Sequence, residues 1–339
     1  MKVLVTGGCG YIGSHTIVDL INNGFEVVSA DSLVRASESS LDGIYKITGK
    51  LVQNYQVDLV DIEATRQVFE DHPDIKGIIH FAALKSVPES VEKPVLYFNN
   101  NINSLLTVLQ LQKEYNVPHF IFSSSCSVYG NTKELPVTES TPFEEAECPY
   151  ARTKQMGEMI VTDVMQAHAN LSAVLLRYFN PAGAHPSAKI GEITYGPVAN
   201  LVPVITDTAS GKRKSFTVYG SDYNTRDGSC IRDYIHVMDL ANAHTKALEY
   251  LSKGENASNC EIYNLGIGQG VTVFEMITAF EKVTGIPLNY EVGDRRPGDV
   301  ESIYSDYKQA AKQLKWAPKL NVEDIMRSAW AWESSLIEK

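Results

Sequence analysis

Along the first half of the chain, short apolar runs alternate with longer stretches whose apolar residues recur every three or four positions. KVLVT (2–6), FEVVSAD (25–31), GIIHFAAL (77–84), HFIFSSS (119–125) and LSAVLLRYFN (171–180) read as strands. Between them YIGSHTIVDLINNG, IEATRQVFEDH (62–72), VLYFNNNINSLLTVLQLQKEY (95–115) and the segment after Pro149 read as helices. In the last of these, Met156, Met159, Ile160 and Val164 continue an apolar face. Strands apolar on both sides, each followed by an amphipathic helix, imply βαβ units and an α/β fold with a doubly wound parallel sheet.

After residue 180 the texture changes. HPSAKIGEITYGPVANLVP is rich in Gly, Pro and polar residues and reads as a binding loop. VTVFEMITAFEKVTG reads as a helix, with Thr272 and Glu275 as a capping box and Gly285 past its end. The expected organisation is a nucleotide-binding domain over 1–180 and a smaller C-terminal α/β substrate-binding domain over 181–339. Some chain around 230–245 is expected to return to the first domain.

Composition narrows the chemistry. The 339 residues are 44% hydrophobic and 21% charged, a soluble profile without an apolar run long enough to span a membrane. With no secretory h-region, the expected compartment is the cytoplasm. A net charge of −11 without a basic block argues against nucleic acid or anionic lipid as partner. An anionic small substrate would need a local arginine clamp. The five cysteines lack C-x-x-C spacing and the eight histidines lack H-E-x-x-H, so no metal site is expected.

LVTGGCGYIGSH sets Gly7, Gly10 and Gly13 between the first strand and the first helix. A plain turn needs one glycine. Three at this spacing serve a tight turn, close approach of backbone to a pyrophosphate, and close packing of the helix, the signature of a Rossmann dinucleotide site. Asp31, ending the second strand, suits an adenosine ribose and repels a 2′-phosphate, which favours NAD over NADP. Arg35 nearby works against that preference by offering a phosphate a cation.

Tyr-x-x-x-Lys occurs three times, at Tyr129/Lys133, Tyr150/Lys154 and Tyr304/Lys308. Tyr129 is read as ending a strand before a Gly-Asn turn, and Tyr304 as preceding its helix. Only Tyr150 follows a helix-starting proline, so that it shares a helix face with Lys154. Ser125 stands at the carboxyl end of its strand, where open α/β sheets bind ligands. A tyrosine base at pH 7 needs its pKa of about 10 lowered by roughly 3 units, or about 4 kcal/mol. A cation about 4 Å away contributes on the order of 4 kcal/mol at an effective dielectric near 20. Lys154 supplies one charge and an oxidised nicotinamide another, which makes the pair an alcohol-oxidising couple. Two solvated residues sharing a helix face are the plainer alternative.

GGCGYIGSH, Asp31, HFAALKSVPESVEKP, FSSSCSVYG, YARTK, LLRYFNPAGAHPS, RDYIHVMDLA and RRPGD together resemble the UDP-glucose 4-epimerase family of extended short-chain dehydrogenases/reductases, over nearly the whole chain. The resemblance implies interconversion of UDP-glucose and UDP-galactose. Tyr150 would take the C4 hydroxyl proton while tightly bound NAD takes the hydride, and the 4-keto sugar would turn over and be reduced on its other face. Ser125 would bond the O4 region, and Lys154 would hold the nicotinamide ribose. Further NAD contacts implied are Tyr11, Ile12, Ser32, Asp61, Ile62, Phe81, Ala82, Lys85, Asn100 and Phe179. The UDP-sugar would meet Lys85, Asn180, Asn200, Leu201, Thr217, Tyr219, Arg232, Arg296, Asp299 and Ile303. Arg232 and Arg296 also fit the arginine clamp that a diphosphate requires, although an isolated arginine is often only a surface ion pair. Members commonly form homodimers through the helices at 95–115 and 150–168.

Several positions depart from the family pattern: Cys9, Cys126 and Ala83 replace other small residues, and GPVANL has one Asn where two are frequent. Ile303, between aromatic and small in size, leaves N-acetylhexosamine forms open. A dehydratase would carry Asp-Glu beside the strand-end hydroxyl, where this chain has Cys126-Ser127. A UDP-N-acetylglucosamine or UDP-uronate 4-epimerase is the nearer alternative, and an NAD-sensing regulatory protein the more distant one.

Overall fold

The computed structural model describes residues 1–196, 198, 200–296 and 299–337. Pro197 and Ala199 of the GPVANL loop, and Pro297 and Gly298 of RRPGD, lie outside the described residues. The first half runs β1 (Lys2–Thr6), α1 (Tyr11–Asn22), β2 (Glu26–Ala30), α2 (Ser39–Thr48), β3 (Gln53–Tyr55), α3 (Ile62–Asp71), β4 (Ile75–His80), α4 (Val87–Glu92), α5 (Pro94–Glu114), β5 (His119–Ser123), α6 (Pro149–Ala167) and β6 (Ser172–Tyr178). The second half runs β7 (Asn180–Ala182), α7 (Leu201–Ala209), β8 (Phe216–Tyr219), β9 (Ile231–Arg232), β10 (Tyr234–His236), α8 (Val237–Ser252), β11 (Cys260–Leu265), β12 (Val271–Thr272), α9 (Val273–Thr284), β13 (Tyr290–Gly293), β14 (Ser302–Ile303), α10 (Lys308–Gln313) and α11 (Val322–Ile337).

Seven parallel strands form one sheet in the order β11-β6-β5-β4-β1-β2-β3. Successive side chains of each strand point to opposite faces, so both faces need an apolar cover. Val3, Val5, Ile79, Ile121 and Leu176 face α1 and α8, whereas Leu4, Ile78, Phe120, Phe122 and Leu175 face α5 and α6. Each such side chain, fully buried, contributes about 1.5–3 kcal/mol.

The returning stretch is longer than 230–245. β10 pairs with β7, α8 packs along α1, and β11 adds a strand beyond β6, so the sheet is completed only at Leu265. CEIYNL has no apolar neighbourhood of its own to mark it as a sheet strand; its place comes from pairing with β6. A separate core, with Phe216, Val218, Phe280, Ile325 and Met326 buried, holds α7, α9, α11 and the β8–β13 ribbon together. The capping box of α9 is present, and Gly285 closes that helix in the left-handed region at φ 71°.

Two local expectations are corrected. Tyr129 does not end a strand: β5 stops at Ser123, and Cys126–Tyr129 form a 3-10 turn whose buried phenol donates to Asn264 at 2.6 Å. Of the apolar face Met156, Met159, Ile160 and Val164 read on α6, Ile160 and Val164 pack against the core but Met159 does not. Met159 is 52% exposed, whereas Lys154, Gln155 and Glu158 are buried. Polar residues can occupy the inner face because each finds a partner there.

Candidate active site

Ligand sites in such sheets lie beyond the carboxyl ends of the strands, and here four of those ends converge. After β1, Gly7 turns at φ +70°, and its amide donates to Ala30 O at 2.8 Å. A Cβ there would stand 2.8 Å from the Ala82 amide nitrogen, and one on Gly13 would stand 2.2 Å from Gly7 O. The loop is therefore as tight as its glycines permit. α1 starts at Tyr11 with no side-chain cap, which leaves the Tyr11, Ile12 and Gly13 amides and the positive end of the helix dipole facing outward. That cradle fits a pyrophosphate.

Asp31 is buried beside the loop, with Oδ2 accepting from the Cys9 amide at 3.0 Å and Oδ1 from the Leu33 amide at 2.9 Å. Burial raises its pKa, and these backbone bonds oppose the rise. Ser32 follows it. Arg35 is taken up by Glu89 at 2.8 Å, so it is paired rather than held out for a 2′-phosphate. The Rossmann residues present fit NAD.

The other predicted cofactor contacts ring the loop unevenly. Phe81 and Ala82 follow β4 directly, against Gly7. Lys85 forms an ion pair with Glu192 at 3.1 Å, and its Nζ lies 6.0 Å from the centroid of the Tyr11 ring. Asp61 caps α3, accepting from the Glu63 and Ala64 amides at 3.1 Å, with Ile62 opening that helix. Asn100 donates to Asn101 at 3.0 Å. Sequence reasoning missed Asn101 itself, a buried residue that grips Leu84 O and Leu84 N and also donates to Thr153 on α6. A polar residue on the inner face of α5 was its only signal.

Beyond β5, Ser125 lies two residues past the strand end and accepts from the Ser127 amide at 3.2 Å. Tyr150 and Lys154 are one turn apart on α6, with Lys154 Nζ 5.9 Å from the phenol ring centroid. Lys154 Nζ donates to Ser123 O at 2.6 Å. Burial pulls its ammonium down to about 8, and the charge of Glu158 resists. Tyr150 is half-buried, and desolvation drives its pKa upward, with Ser125 pulling the other way. Burial of the phenol works against its ionisation, and positive charge beside the ring favours it.

Most of the predicted substrate residues lie in the second half of the chain. Phe179 and Ile303 are buried in one small cluster with Val128, Tyr129 and Val137, next to Asn180 on β7. Asn200 precedes Leu201 at the start of α7 and donates to Glu192 at 3.3 Å. Thr217 and Tyr219 occupy the exposed face of β8. Arg296 binds Asp299 at 2.7 Å and stacks 5.4 Å from the Tyr219 ring, while Arg232 lies 3.8 Å from the same carboxylate. Two cations thus converge on Asp299 at the mouth of the cleft, an arrangement able to receive a diphosphate.

The sequence matches the family model described as GDP-mannose 4,6 dehydratase over residues 4–329. A UDP-glucose 4-epimerase of Bacillus subtilis is 45% identical over 335 residues, covering 99% of this chain and 97% of the relative. The crystal structure of the UDP-glucose 4-epimerase from Bifidobacterium longum, in complex with NAD+ and UDP, is 43% identical with a TM-score of 0.94, covering 99% of this chain and 98% of that one. That from Stenotrophomonas maltophila, with bound NAD and formylated UDP-arabinopyranose, is 40% identical with a TM-score of 0.96, covering 100% and 99%.

Proposed function

The chain belongs to the UDP-glucose 4-epimerase family, inside the wider GDP-mannose 4,6 dehydratase family; from that premise we propose that it interconverts UDP-glucose and UDP-galactose through a 4-keto sugar. The observation that carries this reading is the meeting of Ser125, Tyr150 and Lys154 beside a glycine cradle, opposite the Arg232/Arg296 pair.

The glycine loop, the α1 N-terminus and Asp31 would hold NAD+, which would supply the hydride acceptor, the donor for the return and a second positive charge. Tyr150 takes the C4 hydroxyl proton and later gives it back, and Ser125 holds O4 against it. Lys154, fixed on the Ser123 carbonyl, contributes a cation that lies too deep to be screened by salt. Arg232 and Arg296 hold the diphosphate as an anchor about which the released keto sugar turns to present its other face. Ile303 bounds the sugar pocket, and Phe179, packed in the same cluster, lies on its cofactor side. Asp233, a carboxylate whose charge reaches Cys126, is committed to Ser305 and to the Ile267 and Gly268 amides, so it is not free to remove a C5 proton as a dehydratase must.

We also propose a homodimer. Leu96 and Leu106 of α5 and Met159 of α6 are exposed on two helices that pack side by side, and a second copy would cover them as a four-helix seam. No helix among the described residues is long and apolar enough to cross a membrane.

The test is to incubate the purified protein with UDP-galactose, adding no cofactor, and follow the anomeric protons by NMR. Approach to a UDP-glucose/UDP-galactose equilibrium supports the reading. No conversion after NAD is added overturns it, and UDP-N-acetylglucosamine and the UDP-uronates then become the next substrates to try.

A further inference from the structure

Behind Tyr150 and Lys154 lies a buried ion pair that touches no reacting group. Glu158, one turn after Lys154 on α6, meets Arg177 of β6, with side chains only 3% and 4% exposed. Arg177 Nε donates to Oε1 at 2.9 Å and Nη2 to Oε2 at 2.7 Å. Its remaining arm donates to the Tyr129 phenol at 3.0 Å, and the guanidinium lies 5.0 Å from the Phe143 ring centroid. Burying two charges costs so much desolvation that apolar residues of similar volume usually serve stability as well. The pair therefore calls for a reason other than stability.

That reason lies in a third contact. The Ser124 hydroxyl, wholly buried, donates to Glu158 Oε1. Ser124 stands between Ser123, whose carbonyl holds Lys154 Nζ, and Ser125, which faces Tyr150. Glu158 thus grips the middle of a three-serine segment whose two ends both serve the catalytic pair. The same carboxylate is one helical turn from the Lys154 ammonium.

Resting on the roles given above to Ser125, Tyr150 and Lys154, we propose that Glu158 is a positioning residue: through Ser124 it sets the Ser123 carbonyl and the Ser125 hydroxyl, and by its charge it keeps the buried Lys154 protonated. The other groups around Lys154 bring no negative charge: the Phe122 ring, its centroid 5.1 Å from Nζ, offers only a neutral π face. His80 from β4 is held neutral by burial, its pKa lowered to about 3. Tyr178 from β6 is a neutral phenol pushed up to about 12 by burial, and its hydroxyl is engaged with Ser123. Tyr150 is likewise driven toward its neutral form by burial. Arg177 is a cation, already matched by Glu158. Removing the carboxylate leaves the ammonium facing neutral groups and a second positive charge. Its midpoint must then fall, and at a given pH above that midpoint less of it is charged.

The experiment titrates Lys154 directly, in protein as purified, with lysine labelled with carbon-13 at Cε and the resonance assigned by its loss in Lys154→Arg. Glu158→Gln is expected to lower the Lys154 midpoint by about one pH unit or more. The kcat for UDP-galactose should fall at least tenfold, by a factor that grows with pH, while KM changes less than threefold. Glu158→Asp should recover part of both. An unmoved Lys154 midpoint overturns the electrostatic role. Ser124→Ala, which keeps every charge and so remains informative should Glu158→Gln not fold, is expected to lower kcat several-fold with the midpoint unchanged; wild-type kcat in that variant overturns the anchoring role. A wild-type protein that does not epimerise would defeat the reaction assignment and still leave the titration readable.

Discussion

Gly13→Ala gives a sharp test of the cofactor cradle, because two effects of opposite sign meet there. Gly13 is the third residue of α1, and alanine is favoured over glycine in a helix by about 1 kcal/mol. Propensity alone would make the variant more stable. Against this, the new methyl would sit 2.2 Å from Gly7 O and 2.9 Å from Gly8 Cα. Both are backbone atoms of the tight loop, so no side chain can rotate away, and the loop must shift by on the order of 1 Å. Overpacking of this kind costs about 1–3 kcal/mol, and a backbone neighbour puts this case at the upper end. The net loss is about 2 kcal/mol, a fall of roughly 3 °C in Tm for a chain of this size. The same shift moves the amides meant for a pyrophosphate, so the NAD retained through purification should drop sharply. Gly24→Ala is the control: its φ of +83° strains any alanine, yet nothing lies within 4 Å of the new methyl. That variant should lose about 1–2 kcal/mol and keep its NAD. Measuring Tm together with the absorbance of released nucleotide separates the cases. A Gly13→Ala protein with unchanged Tm and full NAD would refute the close-approach argument.

Three further outcomes follow from the same geometry. Tyr150→Phe should lower kcat by about 10²–10⁴-fold while the protein keeps its NAD; retained activity would remove Tyr150 from the reaction. Arg232→Ala should raise KM for UDP-galactose by about 10–100-fold, the loss expected for a charge-assisted bond to a phosphate, and an unchanged KM would take Arg232 out of the clamp. His15, His80, His236 and His244 are held neutral by burial, with pKa values lowered to about 3, 3, 4 and 4. In the unfolded chain they titrate near 6.5, so unfolding takes up protons below that pH, and stability is lost as pH falls from about 6.5 toward 4. The half-buried Asp19 and the buried Asp31, Asp233 and Asp239, raised by desolvation, act in the opposite sense and moderate the slope. The urea midpoint should therefore be lower at pH 5.5 than at pH 7.5; a higher one would contradict the assignment.

The alternation of apolar runs with amphipathic stretches was enough to place β1, β2, β4, β5 and β6 with helices α1, α3, α5 and α6, because a strand buried on both faces has a periodicity unlike that of its covering helix, whereas the short β3, α2 and α4 carry too few residues to show one. The glycine loop and the Tyr150/Lys154 stripe were legible for a similar reason: each is a local pattern within one turn. What stayed hidden depends on contacts distant in sequence. The place of CEIYNL in the sheet is decided by β6, some way back along the chain. The inner face of α6 was misread because the polar partners of Gln155 and Glu158, the Val128 and Glu144 carbonyls and Arg177, come from other elements. Asn101 and Glu192 escaped notice because each acts by bridging segments, Leu84 to Thr153 and Lys85 to Asn200.

The late arrival of β11 bears on how the protein is made. β6 ends at Tyr178, but its outer neighbour is complete only at Leu265, and α8, which covers α1, is synthesised just before it. At about 5–20 residues per second, a growing chain carries a bare β6 edge for roughly 4–17 s and an uncovered α1 for roughly 12–46 s. An open edge in a long parallel sheet is an invitation to pair with another nascent chain on the same polysome. Synthesis of this enzyme therefore includes a window in which it needs shielding, and that window closes when the second half of the chain comes back to finish the first.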